Sequence, residues 1–577
     1  MTRAEHLGGE MNVSSFYGQQ KGISRYRFLS SAIENVQSSS SQELDVVIIP
    51  PDNDQNPEIS DEDEEDDLLD PDFRPNDVPG DVEVHDNEAE CSDDEERAEG
   101  PHRWKKVDEV ALGPHSTSPF SDEMLEHAGK EPIEIFDLFF TPGMVEHITM
   151  QTNLYASRDK NDKKFTIDQD EMRKFLGLLL ISGYHKLPRE NEYWSTGISR
   201  ECPVFPKTMS RDRFKIIKRY LHVADNQSLS SSKVAKIEPI FDMLRVQCQQ
   251  FGIFDELLSI DESMIPYRGN YSVRQYMHNK PIKFGYKMWM LCGNTGFPYN
   301  FSIYCGKDAE RTGPLGAHVV NKMLSPVKDM SNHVVFFDNF LTSHQLISDL
   351  KGKGIRACGT VRDNRTGKCP LLSKKEIQKK ARGTYDFRSD GEVLCVRWND
   401  NCAVTVASNY FTVNPLHKAE RRVRNESVKT VTQPHAVHMY NKGMGGVDVC
   451  DRKLAAYRPK LRNRKWWWNL FSHALNLALV AAYEFDRHIN PGKKTDHYGF
   501  LVEVAETMVM RQVPRIRIGG TLAPVPRAVR YDGMNHHLVS CKQGRCVVCM
   551  KNTRLMCFKC DKRLHKAVCM DHYHKKP

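Results

Sequence analysis

The chain has 577 residues, 39% of them hydrophobic, with a mean hydropathy of −0.57 and a formal net charge of +5. That length exceeds one hydrophobic core, so several domains are expected; the N-terminus MTRAEHLGGEMNVSSFYGQQ lacks the apolar core of a secretory signal, and no stretch reads as a membrane span. Residues 43–99 hold 25 acids against Arg74 and Arg97, a net of −23, so with +5 overall the remainder carries +28 and calls for a polyanionic partner.

Residues 1–125, rich in Ser, Pro, Asp and Glu with DEDEEDD as the extreme, read as a disordered acidic region. From 126 to 255 apolar residues recur at three- and four-residue spacing, as in EPIEIFDLFFTPGMVEHITM and DQDEMRKFLGLLLISGYHKL, which predicts a helical domain for dimerisation or DNA binding. Ser210 is a candidate N-cap, before RDRFKIIKRY. Helices return at 453–515, and the most apolar run, Trp466 to Tyr483, carries Asn469, Ser472, His473 and Asn476, so it reads as a buried amphipathic helix.

Between the helical blocks strands and helices alternate, which predicts an α/β core over 256–365 and 435–452 with a β-rich insertion at 366–434. YKMWMLCGNTGFPYNFSIYCG reads as two strands joined at Asn294-Thr295-Gly296. Two apolar runs end in an aspartate: LLSID at Asp261 and HVVFFD at Asp338. In MYNKGMGGVDVCDRKLAAY, Asp448 and Asp451 fall on one face if a helix begins near Val447. Strand-end carboxylates in an α/β sheet meet at the edge where sites form. Three or four short, hard carboxylates suit a pair of Mg²⁺ ions about 4 Å apart, the arrangement of two-metal phosphoryl transfer on a ribonuclease-H-like core. Ordinary surface acids after apolar runs are the competing reading.

Basic residues follow the first aspartate in RQYMHNKPIKFGYK, where Arg274, Lys280, Lys283 and Lys287 interleave with Tyr276 and Tyr286 as candidate phosphate contacts. Arg268, Arg362 and Arg365 are assigned the same role, as are Arg462, Arg464 and Lys465 in KLRNRKWWWNLF. A charged but merely solvated surface is the alternative. No Gly-rich phosphate loop with its Lys is present, since GMGG and GGVD lack the spacing.

A linker at 516–540 leads to a cysteine-rich domain at 541–577. Its two CxxC pairs, Cys546/Cys549 and Cys557/Cys560, precede His565, Cys569, His572 and His574, eight ligands for two tetrahedral Zn²⁺ ions that would largely fold so short a segment. Pairing is expected to be cross-braced, with His537 and Cys541 in reserve. The other ten cysteines lack framework spacing, as in a reducing compartment. Such a tail could bind protein or DNA; its Lys and Arg residues favour DNA.

Taken in order, SIDESMIPYRGN, RQYMHNKPIKFGYK, FFDNFLTS, ACGTVRDNR and YNKGMGGVDVCD resemble the piggyBac transposase family, from about residue 130 to the C-terminus. The resemblance implies a cut-and-paste DNA transposase with a ribonuclease-H-like domain, catalytic Asp261, Asp338 and Asp448, and Asp451 as accessory acid. It implies Mg²⁺, hairpin intermediates, TTAA targets, terminal inverted repeats bound by the C-terminal domain, and two DNA ends held by a homodimer in the nucleus. A domesticated, immobile DNA-binding descendant would keep the same four acids, whereas a zinc-tail protein-interaction module needs none of them.

Overall fold

The computed structural model describes residues 103–110, 122–277, 280–306, 313–328, 330–421, 429–510 and 535–575, a few single residues between these, and the backbone of four strands nearer the N-terminus. The described chain falls into two compact units.

The smaller unit draws on 1–101, 264–288 and 303–318. Strands β1 (Phe16–Gln20), β2 (Ile23–Tyr26), β3 (Leu44–Ile49) and β4 (Asp81–Asp86) form the antiparallel order β1-β2-β4-β3. The stretch expected to be disordered therefore carries strands: the acidic average of 1–125 hides the β-branched run LDVVII, which pairs its Val46 with Tyr276 and Val47 with Gln275. The acidic run at 61–67 lies outside the described residues.

In the larger unit the first helical block is built from α1 (Pro132–Phe139), α2 (Pro142–Leu154), α3 (Gln169–Tyr184), α4 (Arg211–Tyr220) and α5 (Glu238–Gln249). Short polar side chains start three of them: Thr141 accepts from Met144 N–H, Asp168 from Glu171 N–H and Ser210 from Arg213 N–H.

The sheet that follows consists of β5 (Leu257–Pro266), β7 (Phe284–Gly293), β8 (Pro298–Ile303), β9 (Val334–Phe337) and β10 (Arg356–Thr360), with β6 (Gln275–Tyr276) in the smaller unit. β5, β9 and β10 are parallel, Leu257 beside Val334 and Val334 beside Arg356, and α6 (His344–Gly352) connects β9 to β10. β7 and β8 meet at the expected turn, where Gly296 takes φ +94°. Beyond β10 lie β13 (Ala403–Ser408), β12 (Leu394–Asn399) and β11 (Tyr385–Ser389), all antiparallel. Within 366–434, expected as an insertion domain, these three strands continue the central sheet through Cys358 beside Ser408, and among the described residues the hairpin β14–β15 (His417–Arg421, Lys429–Gln433) forms a separate two-stranded sheet. Leu257, Val334, Phe336, Val396, Trp398, Val406 and Phe411 form the core of this sheet.

The chain then returns to helices: α7 (His435–Gly443), α8 (Gly446–Ala456), α9 (Trp468–Ile489) and α10 (His497–Met510). α9 is buried on nearly every side rather than on one stripe, with α1 and α5 packed against it; α10 lies on α3, where Gly177 meets Val509. Among the described residues no helix is long and apolar enough to cross a membrane. Residues 511–529, which take in the end of the expected helical block and 516–529 of the expected linker, lie outside the described residues. The tail pairs β16 (Leu538–Arg545), β17 (Asn552–Cys557) and β18 (Lys562–Arg563) and ends in α11 (Val568–His574).

Candidate metal and nucleic-acid site

Asp261 and Asp338 meet because of strand register. Ile260 on β5 lies beside Phe337 on β9, so the next residue on each parallel strand is an aspartate. Adjacent strands run about 4.8 Å apart, which sets the two backbones at that spacing. Asp338 closes a tight turn: its Oδ1 accepts from Phe340 N–H at 3.1 Å and Leu341 N–H at 3.2 Å, and Thr342 returns to its carbonyl. Asp261 Oδ1 accepts from Glu262 N–H at 2.8 Å.

The helix α8 lies across the same face of β5. Ser259, two residues before Asp261, accepts from Val447 N–H at 3.2 Å; Ser263, two residues after it, donates to Asp451 Oδ1 at 2.5 Å. Side chains two apart on a strand share a face, so Asp261 sits between these anchors, facing the turn that carries Asp448. Asp448 is exposed in the first turn of α8, where the positive end of the helix favours a carboxylate. The approach is close because Gly446 has no side chain: a β-carbon there would overlap Gly293 O and lie 2.6 Å from Ser259 Oγ.

α7 is laid over β9 and β10 in the same manner. A β-carbon at Gly443 would overlap the Phe336 ring, and Cys358 Sγ lies 3.8 Å from Ala436 O. This brings Tyr440 to the strand ends, its hydroxyl 3.3 Å from Thr360 Oγ1. Burial raises its pKa, and the charges of Asp338 and Asp261 raise it further. Asp261 and Asp338 thus follow paired strand ends and Asp451 reaches β5 through Ser263, but the four aspartates form no tight ligand cluster: among the described residues two groups of three or more ligand atoms lie all within 4.8 Å of one another, and both are in the tail.

Those two groups interleave along the chain. The first is Cys546, Cys549, His565 and Cys569; the second is Cys557, Cys560, His574 and His536. His572 is exposed and joins neither; His536 takes its place because β16 runs beside β17, Leu538 opposite Cys557. His565 Nδ1 lies 3.3 Å from Cys549 Sγ and 3.8 Å from Cys569 Sγ, while His574 Nε2 lies 3.6 and 3.4 Å from Cys557 and Cys560. His536 Nδ1 is 3.5 Å from both of the latter sulfurs. Zinc bonds of about 2.3 Å to sulfur and about 2.05 Å to nitrogen give tetrahedral edges of roughly 3.6 Å, so both donor sets fit. The far ring nitrogens are held as metal-bound histidines require, His565 by Asn552 O at 3.1 Å and His574 by Met570 O at 2.9 Å.

Of the expected phosphate contacts, three are interior. Arg274 is 1% exposed, donates to Arg268 O and Gly269 O at 3.0 and 2.8 Å, and stacks over Phe284. Lys287 is buried over Tyr304. Lys465 gives its ammonium to three carbonyls at the end of α4, those of Lys218, Arg219 and Leu221. A side chain committed in this way has no surface with which to meet a phosphate. Arg362 donates to Asn339 Oδ1 at 3.1 Å and Arg365 to Phe340 O at 2.6 Å, so both brace the Asp338 turn. Arg268, Lys283, Arg462 and Arg464 are exposed, and Lys280 is half-buried. Trp467 and Trp468 pack inside the helical body, Trp468 Nε1 donating to Leu461 O at 2.6 Å.

The family model described as "Transposase IS4" matches residues 131–483. Human "PiggyBac transposable element-derived protein 3" is 34% identical over 490 residues, 82% of this chain and 81% of that protein. Human "PiggyBac transposable element-derived protein 2" is 30% identical over 484 residues, again 82% and 81%. A solved structure titled "Cryo-EM structure of piggyBac transposase synaptic complex with hairpin DNA" aligns with TM-score 0.56 and 23% identity, covering 74% of this chain and 96% of that one, a likeness of fold.

Proposed function

Because the chain belongs to the piggyBac transposase family, we propose that it is a metal-dependent DNA strand-transfer enzyme on a ribonuclease-H-like core. Its substrate would be the inverted terminal repeats of its element, and its target TTAA. The observation that carries this reading is the register that sets Asp261 beside Asp338 beneath the α8 turn bearing Asp448, with Asp451 held by Ser263.

The donor set fits a hard divalent cation: four carboxylates, two on neighbouring strand ends and two on one helix face. Asp261, Asp338, Asp448 and Asp451 would hold Mg²⁺, which when bound supplies charge stabilisation to in-line displacement at phosphorus. The chain's own residues do the positioning. Phe340 and Leu341 N–H groups fix Asp338, Ser263 fixes Asp451, and Arg362 and Arg365 keep the Asp338 turn in place. Of the expected phosphate contacts, Arg268, Lys283, Arg462 and Arg464 are exposed and would meet DNA backbone. The tail would take two structural Zn²⁺ ions and grip the terminal repeat; a nuclear homodimer that holds two ends together completes the reading.

A second reading, an immobile DNA-binding descendant, is favoured by the human relatives, both named as derived from a transposable element. Cleavage separates the two. Purified full-length chain and Mg²⁺ are incubated with a labelled duplex carrying the element's terminal repeat and flanking TTAA, beside Asp338→Asn. Nicking followed by a hairpin product, abolished in the variant, is expected; binding without cleavage by the wild type overturns the enzyme reading in favour of the second.

A further inference from the structure

We propose that Tyr440 is a catalytic residue of the same site, donating its phenolic hydrogen to a non-bridging oxygen of the phosphate being cut. This rests on the assignment of Asp261 and Asp338 to that site.

The placement follows from three registers. Asp261, Asp338 and Thr360 occupy successive positions across the ends of three parallel strands, since Ile260 lies beside Phe337 and Phe337 beside Gly359. α7 crosses directly above this row. It is pinned at one end by the contact of Gly443 with Phe336 and at the other by Ala436 over Cys358. Between the pins, Tyr440 extends to the row, and its oxygen lies 3.3 Å from Thr360 Oγ1, within electrostatic reach of both carboxylates.

Thr360 and Tyr440 divide the hydrogen-bonding work. A threonine hydroxyl can give its proton to the phenol oxygen, which frees the phenol O–H to point elsewhere. An ordinary phenol stays protonated at neutral pH, so it serves as a donor. It is also half-buried and held on a rigid helix, so its direction is set before DNA arrives. The charges that act on the phenol are the carboxylates of Asp338 and Asp261, which accept and do not donate, so an anionic phosphate entering beside them gains from a donor of this kind. Negative charge builds on the non-bridging oxygens as phosphorus passes through its five-coordinate state, and a fixed donor there acts on the rate more than on affinity.

The test uses the full chain with Mg²⁺ and the repeat–TTAA duplex, normal or with a single phosphorothioate of defined stereochemistry at the cut phosphate. Tyr440→Phe is expected to slow strand cleavage about 10- to 100-fold, the loss of a hydrogen bond to a charged group. Its affinity for the duplex without divalent metal, and its zinc content, should match wild type. Sulfur at one of the two non-bridging positions should slow the wild type and leave Tyr440→Phe indifferent. Thr360→Val, which keeps the phenol but loses its orienting partner, should fall between the two. Wild-type rates in Tyr440→Phe, or the same sulfur effect in both proteins, would overturn the proposal while the four-aspartate site stands. A wild type that cleaves no better than Asp338→Asn overturns both.

Discussion

Replacing Lys465 with methionine distinguishes a structural lysine from a DNA-binding one. Its ammonium lies 2.5 Å from Arg219 O, 3.0 Å from Leu221 O and 3.3 Å from Lys218 O, and 5.4 Å from the Trp467 ring centre. These carbonyls close α4, whose last turn has no intrahelical donors of its own and forms the negative end of the helix. Methionine keeps the length and the apolar stem and removes the three donors. A hydrogen bond to a charged group contributes about 1.5–3 kcal/mol, and relaxation recovers part of the loss, so a net cost of about 3 kcal/mol is expected. For a helical body of this size that corresponds to a fall in Tm of roughly 6–12 °C. Circular dichroism at 222 nm would follow unfolding, and fluorescence anisotropy at 20 °C would follow DNA affinity over a salt series. The structural role predicts a lowered Tm with an unchanged salt slope. An unchanged Tm together with a slope reduced by about one counterion would refute the reasoning and restore Lys465 as a phosphate contact.

Gly446→Ala should displace α8 from β5, because its β-carbon would meet Gly293 O and Ser259 Oγ; Mg²⁺-dependent cleavage should fall at least 100-fold while zinc content stays constant, as checked by gel assay and metal analysis. Metal analysis of wild type is expected to give about two zinc ions per chain, His536→Ala about one and His572→Ala about two, the opposite pattern restoring His572 as ligand. His473 is fully buried and both its ring nitrogens are unpartnered, so burial lowers its pKa to about 3, and His497 is lowered to about 4 by burial and Lys453. Both keep their neutral form in the folded state and bind protons only on unfolding below about pH 6.5, so stability is full above that pH and declines as pH falls toward 4 and then 3. Each adds a slope of up to about 1.4 kcal/mol per pH unit; urea midpoints between pH 7 and 4.5 should fall less steeply for His473→Leu than for wild type.

The parts of the fold that sequence discloses are those set locally. Ser210 caps a helix because a short hydroxyl precedes an apolar three-and-four pattern, and Asp261 and Asp338 stand out because each ends an apolar run. Whether a cation is outside or inside is decided by how the chain folds around it, not by its immediate neighbours in sequence. Lys465 looks like its exposed neighbour Arg464 until the end of α4 arrives from 218–221, and Arg274 finds its acceptors only when the loop at 268–269 folds back. His536 was obscured for a related reason. It lies ten positions before the first CxxC, and only the pairing of β16 with β17 carries it to Cys557. A hairpin reading of LVSCKQGR against NTRLMC would have favoured it over His572. The acidic N-terminal composition likewise masked LDVVII, whose partner strand lies more than 200 residues on.

The order in which the aspartates occur has a biosynthetic consequence. Asp261 and Asp338 leave the ribosome with β5 and β9, but Asp448 and Asp451 follow on α8, about 110 residues after Asp338, an interval of roughly 5–22 s at usual elongation rates. During that time the Ser259–Asp261–Ser263 face of β5 is without its cover. A nascent or prematurely ended chain therefore carries two of the four aspartates, and on the proposed reading strand cleavage has to wait until α8 is made. The same delay leaves a sheet surface open to chaperones, so yield on expression should respond to their supply more strongly than for a protein whose site is formed by neighbouring segments.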